Sequence, residues 1–439
     1  MGSSKELFID IRGLVSSARR VHAPLEYGVA RAIASAQPDP VLVHTEKGEV
    51  VSNIFADRGV LYATLGAQNE QEAYTRLLEA LNSPTPLKDA AEPVRATSLG
   101  DDLYKLPVPK FYERDAGPYI TSGIFLAKDP ETGYVNASIH RALVIGENEL
   151  AVRIVPRHLY KILSRHEKRG LDMESVILVG APPPVYIAAA SSPPFGVSEL
   201  EVASTLAGGL HAEKIGGLPV PLPTEIVIVG RFLAGKRARE GPFVDITGTY
   251  DEVREQPVFR VEEIRARPGA VFYAILPAGL EHINLMGFPR EAAIWDVARR
   301  TSPGVKRVRL TRGGAGWLHA VIVMEKYREG DPKNVLMAAF AAHPSLKMAI
   351  TVDPDIDPDD PVQVEWALAT RMQPSEDIFI VPNARGSSLD PSSDQVNLLT
   401  SKIAIDATRP LGKDPRLFER ARIPPGEGGG ERDAQDHRI

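Results

Sequence analysis

Between residues 101 and 285 the chain consists of short β-type runs that proline and glycine keep interrupting: PYITSGIFLAKD, YVNASIHRALVIG, LAVRIVP, TEIVIVGRFLAG, FVDITGTYD, PVFRVEEIRA and AVFYAILP. Such runs are too short and too often broken for long helices, and their spacing predicts an antiparallel barrel or sandwich. Two helices are predicted among them, HLYKILSRHEKRG and SELEVASTLAGGL. Residues 1–100 read instead as a small α/β unit. There NEQEAYTRLLEALNS sets Ala73, Tyr74, Leu77, Leu78 and Leu81 at helical spacing behind an Asn69 cap with Glu72 three residues on. VLVHTEKGEVVSNIF predicts a hairpin turning at Lys47 and Gly48. From 286 to 422 helices and strands alternate, an α/β pattern with parallel pairing. The tail, 423–439, has nothing to bury and is expected to be disordered.

One run breaks its own pattern. In YVNASIHRALVIG the residues Val135, Ala137, Ile139, Leu143 and Ile145 alternate with the polar Asn136, Ser138 and His140, the period of a half-buried strand. Arg141 falls on the apolar face. Either a bulge re-aims it, or its charge is wanted inside. Folding the run as a hairpin about Gly146–Glu149 pairs 145 with 150, 141 with 154 and 137 with 158, which would set His158 beside Asn136.

Composition narrows the chemistry. None of the 439 residues is cysteine, so disulfides, thiolate metal sites and cysteine nucleophiles are excluded. A metal here must be held by His, Asn, Asp or Glu. The formal net charge of -6 gives no reason to expect nucleic acid or an anionic membrane as partner. MGSSKELFIDIRG is too polar for a signal peptide, and the most apolar stretch, VILVGAPPPVYIAAASSPPFG, is cut by prolines before spanning length; a cytoplasmic protein is expected.

Two clusters carry the candidate chemistry. Asn136 and His158 are joined by Glu199, which follows the candidate helix cap Ser198. An amide oxygen, an imidazole nitrogen and a carboxylate suit Mn²⁺ or Mg²⁺ better than zinc and leave positions for a phosphate. From spacing alone the plainer reading leads: an asparagine in a turn, a satisfied histidine and a helix-start glutamate. In REGPFVDITGTYD, Glu240 and Asp245 straddle Gly241 and Pro242, so a turn can bring both acids to one place, with Arg141 the natural cation. Alone, this too reads more simply as a surface turn with solvated acids. GGAG at 313–316 lacks dinucleotide-fingerprint spacing, and DPDIDPDDP lacks the glycine and glutamate of a calcium loop.

Taken in order, N-A-S-I-H-R (136–141), P-R-H (156–158), S-S-P-P-F-G-V-S-E (191–199), T-E-I-V-I-V-G (224–230), E-G-P-F-V-D (240–245), W-A-L-A-T-R-M-Q-P (366–374) and S-K-I-A-I-D-A-T (401–408) resemble the UbiD-like decarboxylases that use prenylated FMN. The resemblance implies an α/β fold with a central split β-barrel: an N-terminal α/β unit, a flavin-binding barrel and a C-terminal α/β oligomerisation domain. It implies that Asn136, His158 and Glu199 hold Mn²⁺, with K⁺ a further candidate, and that Ser138, Ile139, His140, Arg141 and Arg157 line the cofactor. Glu240, Arg141 and Asp245 match a glutamate-arginine-acid network whose last member is the proton donor. A flavin prenyltransferase would supply the cofactor, and a homo-oligomer, dimer or hexamer, is expected.

Within the family the chain is most similar to the compact archaeal branch that decarboxylates trans-anhydromevalonate 5-phosphate to isopentenyl phosphate. The basic groups His140 and Arg157 would suit such a phosphorylated unsaturated acid. The alternatives are an aromatic acid decarboxylase of the 4-hydroxybenzoate type and a non-catalytic flavin-binding protein. Intact Glu240, Arg141 and Asp245 argue against the latter, since flavin storage needs no proton donor.

Overall fold

The computed structural model describes residues 9–91 and 95–421, so the tail expected to be disordered lies outside the described residues. The chain gathers into two compact units. The first takes residues up to 293 together with 312–317 and 389–391, and the second takes 294–311, 318–388 and 392 onward.

The first unit is built around a nine-stranded sheet. Its strands are β1 (Tyr119–Ile120), β2 (Ile124–Lys128), β3 (Val135–Ile139), β4 (Ala142–Val144), β5 (Glu149–Val152), β6 (Met173–Val179), β7 (Ile226–Glu240) and β8 (Arg254–Ala266). They lie in the order β1-β4-β5-β8-β7-β6-β2-β3, with Thr97–Ser98 pairing beside β8. Every described pairing in this sheet is antiparallel.

The order itself shows that the sheet is curled. β3 is one end of it, and β4, the next strand in the chain, lies near the other end. Three Cα steps from Ile139 to Ala142 reach at most about 11 Å. Six strand spacings across a flat sheet would need about 29 Å. Only a curled sheet satisfies both. The two crossing residues bond to opposite ends: His140 N–H donates to Gly123 O beside β2 at 3.1 Å, and Arg153 N–H beyond β5 donates to Arg141 O at 3.1 Å. The run that reads as one strand is therefore two, and the side-chain alternation restarts at Arg141. Inside the curl Phe125, Phe232 and Phe259 are fully buried, with ring centroids 5.2–6.1 Å apart. Burying each contributes about 2–3 kcal/mol.

The break corrects the expected hairpin. β4 and β5 pair Val144 with Leu150, Leu143 with Ala151 and Ala142 with Val152, one residue away from the predicted register, because the turn is shorter. Asn136 is not in this hairpin at all; it pairs with Ala127 of β2.

Around the barrel stand α1 (His158–Glu167), α2 (Pro183–Ser191), α3 (Glu199–Ala207) and α4 (Leu280–Thr301). A separate four-stranded sheet takes Arg19–His22, Val41–Thr45, Gly48–Ser52 and Val271–Tyr273. AVFYAILP thus pairs with Gly48–Ser52 rather than with the barrel strands it follows. The hairpin pairs Thr45 with Gly48 and turns at Glu46 and Lys47, one residue earlier than expected. The helix Glu70–Asn82 forms as predicted, with the Asn69 side chain accepting from Glu72 N at 3.0 Å. Buried Glu281, in the first turn of α4, accepts from Tyr273 Oη (2.6 Å), Phe55 N (2.9 Å), Asn53 N (2.8 Å) and Ser52 Oγ (3.2 Å), which fixes the start of that helix.

In the second unit five strands run in the order Val305–Leu310, His319–Met324, Met348–Val352, Leu399–Ala407, Ile378–Arg385. The central pairings are parallel, as the alternating pattern predicted, and both outer ones are antiparallel. Among the described residues no helix is long and apolar enough to cross a membrane.

Gly230, where β7 shifts register against β8, has no room for a side chain: an added Cβ would lie 2.0 Å from Arg260 O. Gly146 has nothing within 4 Å. Gly230→Ala should cost about 3 kcal/mol or more, and Gly146→Ala less than about 0.5 kcal/mol, in denaturant unfolding. Equal costs would contradict this packing.

Candidate active site

The crossing residues divide the site into two halves. On the acid side, Arg141 Nε and Nη2 donate to Glu240 at 2.9 and 3.1 Å, Nη1 to Asp245 at 3.2 Å, and Nη2 also to Asp251 at 2.9 Å. Arg153 and Arg254 each reach Asp251 at 3.3 Å, so three carboxylates meet three guanidinium groups. The Arg141 guanidinium also lies over the Phe243 ring, 5.0 Å from its centroid. Glu240 is fully buried and takes a further bond from Tyr119 Oη at 3.1 Å. Tyr119 Oη in turn accepts from Gly241 N at 3.2 Å.

The titration behaviour follows from these contacts. Burial opposes the charge on Arg141, but Glu240 first, then Asp245 and Asp251, outweigh it and raise its pKa above the usual value. Burial alone would raise the Asp251 carboxyl; Arg141, Arg153 and Arg254 hold it below the usual range. Burial and then the charge of Glu240 push the Tyr119 phenol up, so it stays protonated and keeps donating its hydrogen bond to Glu240. The structure brings Arg141, Glu240 and Asp245 together as the sequence predicted, and the cluster is enclosed rather than a solvated surface turn.

Two neighbours escaped the sequence reading. Asp251 lies opposite Phe243 in a short hairpin formed by Phe243–Val244 and Tyr250–Asp251. Counting that pairing from the T-G-T turn would have found it. His282, in α4, accepts from Ala278 N through Nδ1 at 3.1 Å, which leaves the ring hydrogen on Nε2. Burial lowers its pKa, with Arg141 acting in the same direction and Asp245 opposing. Nothing in the local sequence signals this position.

On the other side of the crossing, Glu199 gathers the second set. Its Oε2 accepts from Ala137 N at 2.9 Å and from Tyr134 Oη at 3.3 Å, and its Oε1 lies 3.0 Å from Asn136 Nδ2 and 3.8 Å from His158 Nδ1. Glu199 thereby satisfies a backbone donor on β3, the last strand in the sheet order. Ser198 begins α3 but does not cap it; its hydroxyl donates to Val135 O at 2.8 Å. Phe195, unmarked by the sequence reading, sits edge-on to His158 at 5.4 Å and beneath Lys161, whose Nζ is 3.8 Å from its ring centroid. The three expected groups therefore meet, although His158 arrives from the start of α1 rather than by strand pairing. Ser138, Ile139, His140 and Arg141 form a half-buried row between the two sets, and Arg157 precedes His158 as the residue before α1.

The hydrogen-bond network and the donor types of this set bear on whether it suits a cation. His140 Nδ1 faces Arg153 O at 3.0 Å, and a carbonyl only accepts, so Nδ1 carries the hydrogen. Burial, aided by the charges of Arg157 and Arg153, lowers His140 to about 4, so the neutral ring presents a bare Nε2 to Ser138 Oγ at 2.8 Å. Ser138 Oγ also donates to Asn136 Oδ1 at 3.0 Å, and the Asn136 amide nitrogen donates to Glu199 Oε1 at 3.0 Å and to Tyr134 Oη at 3.3 Å. The Asn136 amide oxygen, the Glu199 carboxylate and the His158 imidazole, 3.8 Å from Glu199 Oε1, are the hard oxygen and nitrogen donors that a divalent cation takes. The donor set fits a hard divalent cation. Among the described residues no group of three or more His, Asp and Glu side chains is placed to hold a metal; this set differs by using an amide.

The His140 ring gives a pH signature. Unfolded, it takes its proton near 6.5, and folded only near 4. The unfolded chain thus binds more protons between those values, so this contribution is fully present above pH 6.5 and falls by about 3 kcal/mol as pH drops toward 4. The wild-type thermal midpoint should fall more steeply across that window than that of His140→Asn. Parallel curves would refute the buried neutral ring.

Comparison with known proteins bears on the family of the chain. Residues 87–280 match the 3-octaprenyl-4-hydroxybenzoate carboxy-lyase Rift-related domain, and residues 283–407 match the C-terminal domain of the same carboxy-lyase. The anhydromevalonate phosphate decarboxylase of Aeropyrum pernix is 45% identical over 406 residues, covering 91% of either chain. The enzyme of that name from Methanothermobacter thermautotrophicus is 49% identical over 364 residues, 82% of this chain and 86% of that one. Among solved structures, the UbiD-class enzyme HmfF of Pelotomaculum thermopropionicum in complex with FMN superposes with a TM-score of 0.89 at 36% identity, covering 95% of this chain and 96% of that one. An evolved dimeric form of HmfF in complex with prFMN gives 0.87 at 33%, covering 99% and 100%. With both domains matched, a curled antiparallel barrel and relatives of this identity and extent, the chain belongs to the UbiD family of carboxy-lyases.

Proposed function

We propose that this protein is a prenylated-FMN-dependent decarboxylase that converts trans-anhydromevalonate 5-phosphate to isopentenyl phosphate and CO₂. The observation that carries the reading is the enclosed Glu240–Arg141–Asp245 cluster beside the cation-suited set. The substrate is supported by the names of the archaeal relatives at 45–49% identity. The cofactor is supported by the FMN and prFMN complexes of HmfF.

Asn136, His158 and Glu199 would hold Mn²⁺, or Mg²⁺ in its place, against the flavin phosphate, with K⁺ a further candidate. Ser138, Ile139, His140, Arg141 and Arg157 would line the flavin. The prenylated flavin supplies an electron sink for the pair left behind when CO₂ departs. The protein's own work is orientation and proton transfer. Arg141, fixed by Glu240 through two bonds, is rigid in the plane of its fork and presents Nη1 to Asp245. Asp245 is about one-quarter exposed, so it reaches the open side of the cluster while Glu240 does not. It is the acid placed to carry a proton to the new C–H bond, and Glu240 is the residue that holds Arg141 in position. Tyr119 supports Glu240 from behind.

A flavin prenyltransferase would supply the cofactor, and the setting is cytoplasmic. The edge strand Ile378–Arg385 and the segment after it leave Ile380, Val381, Val396 and Leu399 exposed, an apolar surface that supports assembly as a homo-oligomer, dimer or hexamer.

Protein co-produced with a flavin prenyltransferase and Mn²⁺ should release CO₂ from trans-anhydromevalonate 5-phosphate. Asp245→Asn should keep its flavin and lose turnover by about a hundredfold or more, the scale of general acid catalysis. Undiminished turnover in that variant would remove Asp245 as proton donor.

A further inference from the structure

Enclosed arginines in this protein meet acids: Arg141 meets three carboxylates, Arg371 meets Asp353 and Asp355, and Arg267 meets Glu225 and Asp10. Arg290, half-buried on α4, departs from that pattern. Its Nη2 donates to Ser192 Oγ at 3.1 Å, and its guanidinium lies 5.7 Å from the centroid of the Trp317 ring. No described carboxylate comes within ion-pair distance of it. The strongest charge it feels is another cation, Arg157, and burial together with that charge draws its pKa down to about 10. A half-buried guanidinium that no described carboxylate neutralises is costly to keep, and a bound anion removes the cost.

The position of these residues selects the anion. Arg157 immediately precedes His158, and Ser192 belongs to the S-S-P-P-F-G-V-S-E segment that ends at Glu199. Arg157 is thus one residue from His158, and Ser192 is seven residues from Glu199 along the chain. We propose that Arg290, with Arg157 and Ser192, forms a binding recess for a phosphate monoester. Its planar fork matches phosphate oxygens, and the serine hydroxyl adds a donor. The inference rests on the proposed function, which offers two phosphate monoesters, the tail of the flavin and the 5-phosphate of the substrate.

The test uses full-length protein, wild type and Arg290→Gln, with Arg290→Lys as a charge-retaining control. Flavin-free protein is titrated with FMN and with riboflavin, which differ only in the phosphate. FMN-loaded protein is titrated with trans-anhydromevalonate 5-phosphate and with the unphosphorylated acid. If the recess takes the flavin phosphate, Arg290→Gln weakens FMN tenfold or more and leaves riboflavin unchanged. If it takes the substrate phosphate, FMN binding holds and only the phosphorylated acid weakens by that factor. Arg290→Lys should fall between. The thermal midpoint of ligand-free Arg290→Gln should equal or exceed that of wild type, because a repelling charge is gone. A lowered midpoint with both phosphate preferences intact would make Arg290 a structural residue and overturn the inference alone. Wild-type protein that prefers neither FMN over riboflavin nor the phosphate ester over the free acid would overturn it together with the proposed function.

Discussion

Two residues carry the chain from one end of the barrel sheet to near the other, and the rest of the site depends on that constraint. Because β3 is the last strand and β4 the second in the strand order, yet only His140 and Arg141 separate them, the sheet must curl. The crossing links His140 to Ser138, Ser138 to Asn136 and Asn136 to Glu199 on one side, and turns Arg141 toward Glu240, Asp245 and Asp251 on the other. A cation-suited pocket and an acid cluster are thus made by one short segment, held at a fixed separation by the backbone that closes the barrel.

The acid cluster is poor value as a stabilising device. Removing three carboxylates and their guanidinium partners from water is expensive, and apolar packing of the same volume often stabilises a fold more. The aromatic core of Phe125, Phe232 and Phe259 already provides that kind of packing beneath His140. Retaining charge at the closure therefore points to chemistry. Glu240, itself bonded by Tyr119, holds Arg141, and Asp245 is the more exposed of the two acids.

Much of this was legible in the sequence because it was written in local rules. The Asn69 cap predicts its helix, the broken strand runs predict an antiparallel barrel or sandwich, and Arg141 on an apolar face predicts either a bulge or a charge wanted inside. The errors came from long-range pairing, which no local rule encodes. A two-residue crossing looks like the middle of one strand, so Asn136 was put in a hairpin that excludes it. AVFYAILP looks like another barrel strand, but its partner is more than two hundred residues earlier. His282 and Arg290 matter through what α4 brings them near, and an isolated histidine or arginine on a helix carries no signal of its own.

The central claim is that the protein decarboxylates a phosphorylated unsaturated acid, and the most direct measurement is the ratio of kcat/KM for trans-anhydromevalonate 5-phosphate to that for 4-hydroxybenzoate on one preparation loaded with prenylated FMN. The arrangement of Arg141, Asp245 and the basic groups around Arg157 predicts turnover of the phosphate ester and none measurable for the aromatic acid. Turnover of 4-hydroxybenzoate with the phosphate ester inert would keep the family and contradict the substrate.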